Sequence, residues 1–223
     1  MHQRKSKKIL IYLFLLFLVG SINNINFNNL KFKEIENIKV LGLGNYDNSI
    51  LISQIQNLNL KNIFFINRED IKKKIKSNNL VEKYEIFKLY PSSLVINIKK
   101  TKFLAKINDK EKIFLVGSNG KFLKNNSFYN QLPFIFGKPD VSEFLEFKEI
   151  IDQSKFSYNE VKNLYYFSSK RWDLELKNNV IIKLSKDYPE ESLKLAFEFL
   201  HNKDLKDIKF IDARIKNQII LND

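Results

Sequence analysis

The chain has 223 residues, with 38 Lys and Arg against 25 Asp and Glu, a formal net charge of +13 at pH 7. The absence of cysteine and the presence of only two histidines exclude a disulfide framework, a thiol nucleophile, a Cys-ligated zinc site and a multi-histidine metal centre. The basic excess would suit phosphates, but the lysines are interleaved with acids, as in Glu82-Lys83-Tyr84-Glu85, and that pattern reads as solvated surface rather than a nucleic-acid site.

At the N-terminus Arg4, Lys5, Lys7 and Lys8 precede an apolar run over residues 9–19, broken only by the hydroxyl of Tyr12, and no acid occurs before Glu34. Two readings fit. One is a membrane anchor over residues 9–25, shorter in its strict apolar part than the usual spanning length of about 20 residues and helped by snorkelling of Lys7 and Lys8. The other is a cleaved signal peptide, whose nearest small-residue cleavage site, Val19-Gly20-Ser21, is a poor one. Either way the tail at residues 1–8 stays cytoplasmic and the rest is exported. A polar, Asn-rich linker occupies residues 26–34.

Ile38-Lys39-Val40 reads as a strand ending in a turn at Gly42 and Gly44. Asp47 or Asn48 caps a helix with Leu51, Ile55 and Leu58 on one face. Asn67 with Asp70 opens a second helix carrying Ile71 and Ile75. Residues 81–89 are strand-like, Tyr90-Pro91-Ser92-Ser93 is a turn, and Leu94, Ile96 and Ile98 alternate with Val95, Asn97 and Lys99. The order over residues 35–100 is β-α-α-β-β.

A second region runs over residues 103–223. Asn119-Gly120 is a hairpin signal between strands at residues 113–116 and 121–123. Leu132-Pro133 and Lys138-Pro139 punctuate a loop. Asp140 with Glu143 caps a helix bearing Phe144, Phe147 and Ile151. Residues 162–167 form a strand. Trp172, Leu174 and Leu176 face one way and Asp173, Glu175 and Lys177 the other, and Asn178-Asn179 turns into a strand with Val180, Ile182 and Leu184. Asp187 with Glu190 caps a helix bearing Leu193, Ala196, Phe197 and Leu200. Strands at residues 208–215 and 218–221 close the chain, turning at Lys216-Asn217. The fold class is α+β: an N-terminal membrane helix, a β-α-α-β-β unit, then a β-rich unit dominated by antiparallel hairpins with two helices.

No constellation supports catalysis. His201 ends an apolar helix and reads as a partner for the helix dipole. Gly42-Leu43-Gly44 lacks the rest of a nucleotide loop. Asp212 and Arg214, two apart on a strand, share a face and read as a structural ion pair. Trp172 reads as core. The terminal strand differs: it is short and apolar, and at a sheet edge its backbone groups would await pairing. Ile219 and Leu221 lie on one of its faces and Gln218 and Ile220 on the other, and the pattern leaves open which face meets the core.

This order of elements resembles the FtsQ/DivIB family of bacterial cell-division proteins. The resemblance rests on Val40-Leu41-Gly42, on Asn62-Ile63-Phe64-Phe65-Ile66-Asn67, on Tyr90-Pro91-Ser92-Ser93-Leu94-Val95-Ile96, on Leu132-Pro133-Phe134-Ile135-Phe136-Gly137, on Lys170-Arg171-Trp172-Asp173-Leu174, and on Ile211-Asp212-Ala213-Arg214. The Arg-Trp-Asp-Leu run looks most like the alphaproteobacterial branch. Lys99-Lys100-Thr101-Lys102 departs from it, standing where the family usually has an acid followed by Arg and Pro, and Ala213 stands where Leu is usual.

The resemblance implies a POTRA domain at residues 35–102, a β domain at residues 103–223 and an uncleaved anchor. It implies a non-enzymatic divisome scaffold of the inner membrane, enriched at the septum, which helps control septal peptidoglycan synthesis and binds neither cofactor nor small-molecule substrate. It further implies FtsB-like and FtsL-like partners, the former adding a strand at Gln218, Ile219, Ile220, Leu221 and Asn222. An alternative of another class is an exported POTRA-type chaperone or transport module that binds polypeptide strands.

Overall fold

The computed structural model describes residues 3–22, 34–58, 60–124, 131–201 and 208–222. Most of the expected linker, residues 26–33, and the end of the expected anchor, residues 23–25, lie outside the described residues. Helix α1 (Gln3–Ile22) is followed by two units, each a sheet with helices on one face. The side chains over residues 9–19 of α1 are exposed. The strict apolar stretch rises only about 16 Å at 1.5 Å per residue, against a hydrocarbon core of about 30 Å. Among the described residues no helix is long and apolar enough to cross a membrane. α1 starts at Gln3, six residues before the expected anchor over residues 9–25, and the last three residues of that expectation lie outside the described ones.

The first unit has the expected β-α-α-β-β order: β1 (Asn37–Leu41), α2 (Asn45–Gln56), α3 (Arg68–Ser77), β2 (Val81–Leu89) and β3 (Ser93–Lys100). The strands lie in the order β1-β3-β2, with β1 parallel and β2 antiparallel to β3. The even positions Leu94, Ile96 and Ile98 face Leu51 and Ile55 of α2 and Ile71 and Ile75 of α3 in one buried cluster. The Asn67 side chain caps α3, accepting from Glu69 N at 3.1 Å and donating to Asp70 at 2.7 Å. Acids in the first turn and Lys74 and Lys76 in the last complement the helix dipole. Helix α2 starts earlier than expected, after Gly44, and the Asn48 side chain instead accepts the N–H of Leu43 at 3.1 Å.

The second unit is a nine-stranded sheet in the order β12-β11-β10-β9-β8-β7-β4-β5-β6. Its strands are β4 (Phe103–Asp109), β5 (Lys112–Gly117), β6 (Phe122–Lys124), β7 (Phe134–Phe136), β8 (Val161–Tyr166), β9 (Trp172–Leu176), β10 (Ile181–Leu184), β11 (Phe210–Ala213) and β12 (Ile220–Asn222). Helix α4 (Val141–Gln153) joins β7 to β8, and α5 (Pro189–Leu200) lies between β10 and β11. Three of the eight neighbour pairings are parallel: β4 with β7, β7 with β8, and β10 with β11. The sheet is therefore mixed rather than a run of antiparallel hairpins: helix crossovers through α4 and α5 make β7–β8 and β10–β11 parallel, and β7 joins β4 in parallel after the chain has passed through β5 and β6. The α4 capping box forms as expected, with Asp140 N donating to Glu143 at 3.0 Å. Helix α5 is entered differently: Tyr188 occupies the N-cap and Pro189 follows it, and no side chain caps the helix.

The core of this unit lies between the sheet and the two helices. Trp172, 7% exposed, stacks on Phe147 of α4 with ring centroids 4.7 Å apart. Every residue of β9 is buried, including Asp173 and Glu175, so the face expected to be polar is polar but covered.

Candidate interaction surface

β12 ends the strand order. It pairs antiparallel with β11 on one side, placing Leu221 opposite Ile211 and Ile220 opposite Asp212. Ile211 is fully buried, so the register sends Leu221 toward the helices; Ile219 joins it against the core, and Ile220, 51% exposed, lies on the open face. That settles which face is inward. The strand starts two residues later and ends one residue later than the expected 218–221: Gln218 and Ile219 precede it, the Gln218 N–H closing the turn onto Ile215 O at 3.1 Å, and Asn222 belongs to it. On its other side β12 has no strand neighbour among the described residues.

The strand beside it is held rigidly. Asp212, buried on β11, takes Arg214 Nε at 2.8 Å and Nη2 at 2.6 Å. This guanidinium, outweighing desolvation, keeps the Asp212 carboxyl below its usual range. Lys183 of β10 lies 4.2 Å from the centre of the Phe210 ring. Ser192 of α5, also buried, donates to Ala213 O at 2.8 Å and accepts from Ser185 N at 3.2 Å, tying the helix to β11 and to the end of β10. A cleft of about 250 Å³ lies beside this joint, lined by Tyr188, Glu191, Leu195, Ile215 and Lys216 among others.

Inward from the edge, the open face carries a chain of charges. Asp173 accepts from Arg171 Nε and Nη2, at 3.1 and 3.2 Å, and from Leu184 N at 3.2 Å; burial nevertheless raises its pKa. Burial also pushes Glu175 upward, but Lys162 at 2.7 Å, Asn163 at 2.8 Å and Tyr165 at 2.7 Å outweigh it and bring the pKa down to about 2. These groups are saturated by fixed partners, which suits a rigid platform and not proton transfer. His201 caps α5, with Nδ1 3.0 Å from Phe197 O and its ring stacked on Phe197. Among the described residues no cluster of three or more His, Cys, Asp or Glu could hold a metal ion.

Two family models match this architecture. The FtsQ-type POTRA domain covers residues 33–100, and the C-terminal domain of cell division protein FtsQ/DivIB covers residues 105–214. The chain belongs to the FtsQ/DivIB family. Membership places it among cell-division proteins, and its relatives are mostly alphaproteobacterial. It is 22% identical over 167 residues to cell division protein FtsQ of Bradyrhizobium diazoefficiens, covering 71% of this chain and 48% of that protein. It is 24% identical over 190 residues to FtsQ of Rickettsia bellii, covering 83% of this chain and 70% of that one. The chain thus spans about half the length of the Bradyrhizobium relative. The extracytoplasmic domain of DivIB from Geobacillus stearothermophilus is a looser likeness, 13% identical with a TM-score of 0.35 over 48% of this chain and 99% of that one.

The motifs that carried the resemblance are distributed through the FtsQ/DivIB fold rather than gathered in one place. Gly42 follows β1, Phe134-Ile135-Phe136 is β7, Trp172 and Asp173 open β9, and Asp212 sits on β11 beside the edge. Ser192 and the partners of Glu175 carried no signal in the sequence, because a lone Ser in a helix and an Asn or Tyr on a strand have many uses. Only their meeting across elements makes the joint.

Proposed function

We propose that this FtsQ/DivIB protein is a non-catalytic divisome scaffold that helps control septal peptidoglycan synthesis through protein contacts. It is attached to the inner membrane through α1, with the two sheets on the periplasmic side and enriched at the septum. The tail at residues 1–8, anchor segment 9–25, linker 26–34, POTRA domain 35–102 and β domain 103–223 are its working parts. The surface that assembles is the edge at Gln218, Ile219, Ile220, Leu221 and Asn222, on which a strand of an FtsB-like protein pairs, an FtsL-like protein joining through it. The observation that carries the reading is the position of β12: it ends the sheet order, and its inward side chains are already taken up by the core. What remains on offer is a backbone edge, suited to β-augmentation.

The test uses proline, which cannot donate to a ladder. Successive N–H groups along a strand point to opposite edges, so Ile219→Pro and Ile220→Pro are made separately in the full chain. One is expected to abolish binding of an FtsB-like peptide with thermal unfolding nearly unchanged, and the other to damage the sheet. If both variants fold and bind normally, the edge is not the interface. Cellular placement gives an independent check: a fluorescent fusion that forms midcell rings fits this reading, and a uniform envelope signal points to the strand-binding chaperone alternative.

A further inference from the structure

The end of the first unit remote from the nine-stranded sheet carries an exposed aromatic cluster. Phe64 and Phe65 sit in the loop before α3, 52% and 76% exposed, and Tyr90, 63% exposed, lies in the turn between β2 and β3. The Phe64 and Tyr90 rings meet with centroids 5.1 Å apart. Leu89 and Phe87 of β2, which ends at the same turn, are exposed as well. The loop is held in place: Asn62 Oδ1 accepts from both Phe64 N and Phe65 N at 3.1 Å, and Lys88 Nζ donates to Ile63 O at 2.6 Å. Large rings so fixed on the surface are costly to leave in water, at about 25 cal/mol per Å² of apolar area.

The chain path says what lies opposite. β1 runs parallel to β3 with Asn37 beside Ser93, so the chain enters the unit at the β2–β3 turn, where the patch is. Glu34 bridges to Asn62, two residues before Phe64. Between Ile22 at the end of α1 and Glu34 lie eleven residues, which extend at most about 40 Å at ~3.4 Å per residue. β3 leaves at the far end toward the nine-stranded sheet. Near the patch Lys61 and Lys88 are offset by Glu34 and Glu36, so attraction to anionic head groups is weak and the aromatic side chains must supply the contact. Phe and Tyr rings suit the boundary between head groups and acyl chains.

We propose that Phe64, Phe65 and Tyr90 form a second membrane contact, inserting into the lipid interface and setting the orientation of the first unit against the bilayer. The proposal rests on α1 attaching the chain to the membrane. It is tested with the full chain reconstituted with vesicles of zwitterionic and anionic phospholipid, and with the same lipids brominated on their acyl chains. Two variants, Phe65→Trp and Ile113→Trp, each add an indole to the single native one, Trp172, which is buried in the second unit.

The expected result is a blue shift and a loss of the added emission for Phe65→Trp in brominated vesicles, with the wild type and Ile113→Trp unquenched. Flotation with vesicles reports on α1 separately. A chain that floats with the Phe65→Trp indole unquenched overturns the second contact and leaves the α1 attachment standing; a chain that does not float overturns both. Equal quenching of the two indoles means unspecific adsorption and also overturns it. Quenching unaffected by removing the anionic lipid supports insertion through the rings rather than through charge.

Discussion

Glu175 shows how a residue with no signature of its own can set a measurable property. Its carboxyl has an ordinary pKa of 4.5 and is brought to about 2 in the fold. The folded value is the lower one, so the unfolded chain binds more protons between about 4.5 and 2, and stability rises with pH across that window. The contribution is present above 4.5 and lost as pH falls toward 2. Asp173, raised by burial, has the opposite sign: what it contributes is lost as pH rises through its folded value. Glu175→Gln isolates the first effect, since the amide oxygen still accepts from Tyr165 and Asn163. We expect a destabilisation of about 1–3 kcal/mol at neutral pH, vanishing near pH 2, because the lysine partner is half exposed and solvent screens it. Denaturant unfolding at a series of pH values measures it; parallel curves for the two proteins would refute the assignment. Gly42 is the backbone counterpart. Its φ is +109°, and a Cβ there would come within 1.8 Å of Ile98 O. Gly42→Ala is expected to cost more than about 2 kcal/mol, read by thermal unfolding, since neither the dihedral nor the neighbouring backbone can give way.

At the scale of elements, the sequence announced those with a local cause. Asn67 and Asp140 with Glu143 sit where caps form, and Leu94, Ile96 and Ile98 alternate as a half-buried strand must. What it did not announce depends on distant partners. β7 is three residues between two prolines and reads as loop; it is a strand because β4 and β8 flank it. The β4–β5 turn uses Lys110 and Glu111, both at positive φ, without the Asn-Gly or Asp-Gly pair that usually marks such a turn. Two of the parallel pairings follow from where α4 and α5 return the chain, and the third from where β7 comes back beside β4, none of which a local pattern encodes. At the candidate edge, the strand and its residues were legible and its inward face was not, because Ile219, Ile220 and Leu221 are all apolar and only the register with β11 decides among them. The two expected caps of the second unit give a direct comparison. Asp140→Ala should cost about 1 kcal/mol, the usual value of a cap. Asp187→Ala should stay within about 0.5 kcal/mol, because that side chain caps nothing. Equal losses in thermal unfolding would mean that α5 is capped from Asp187 after all.

For the whole molecule, the question is whether the two units unfold as one, and the seam between them rests on the β5–β6 turn. Asn119, half of the Asn-Gly signal, does more than turn the chain. Its Nδ2 donates to Asn79 O at 2.8 Å and Val81 O at 2.9 Å, both in the first unit. Beside it Ser118 Oγ donates to Glu82 at 2.6 Å, and Glu82 also holds Lys99 at 2.8 Å; these two partners keep its pKa below the usual range. Lys121 Nζ reaches Lys76 O at 2.5 Å, and Asn79 Nδ2 donates to Phe122 O at 3.0 Å. The seam is thus polar: most of these bonds go to backbone carbonyls at the C-terminal end of α3 and the start of β2, and each contributes about 0.5–1.5 kcal/mol. Each unit has its own buried cluster, so neither core depends on the other for its apolar contacts. Coupling carried by a few such bonds is strong enough to merge two transitions of similar stability and weak enough to be removed by two substitutions. The wild-type chain is therefore expected to show a single calorimetric transition, and Ser118→Ala with Asn119→Ala to split it in two while near-native circular dichroism persists at 25 °C. Gly120 still supplies the positive φ of the turn in that variant, while the bond from Lys121 N to Asn119 Oδ1, 3.1 Å, is lost with the rest. A double variant that still melts in one transition, merely at lower temperature, would place the coupling elsewhere: in the backbone pair Thr101 N to Leu80 O and Ser118 N to Lys102 O, which no side-chain substitution removes.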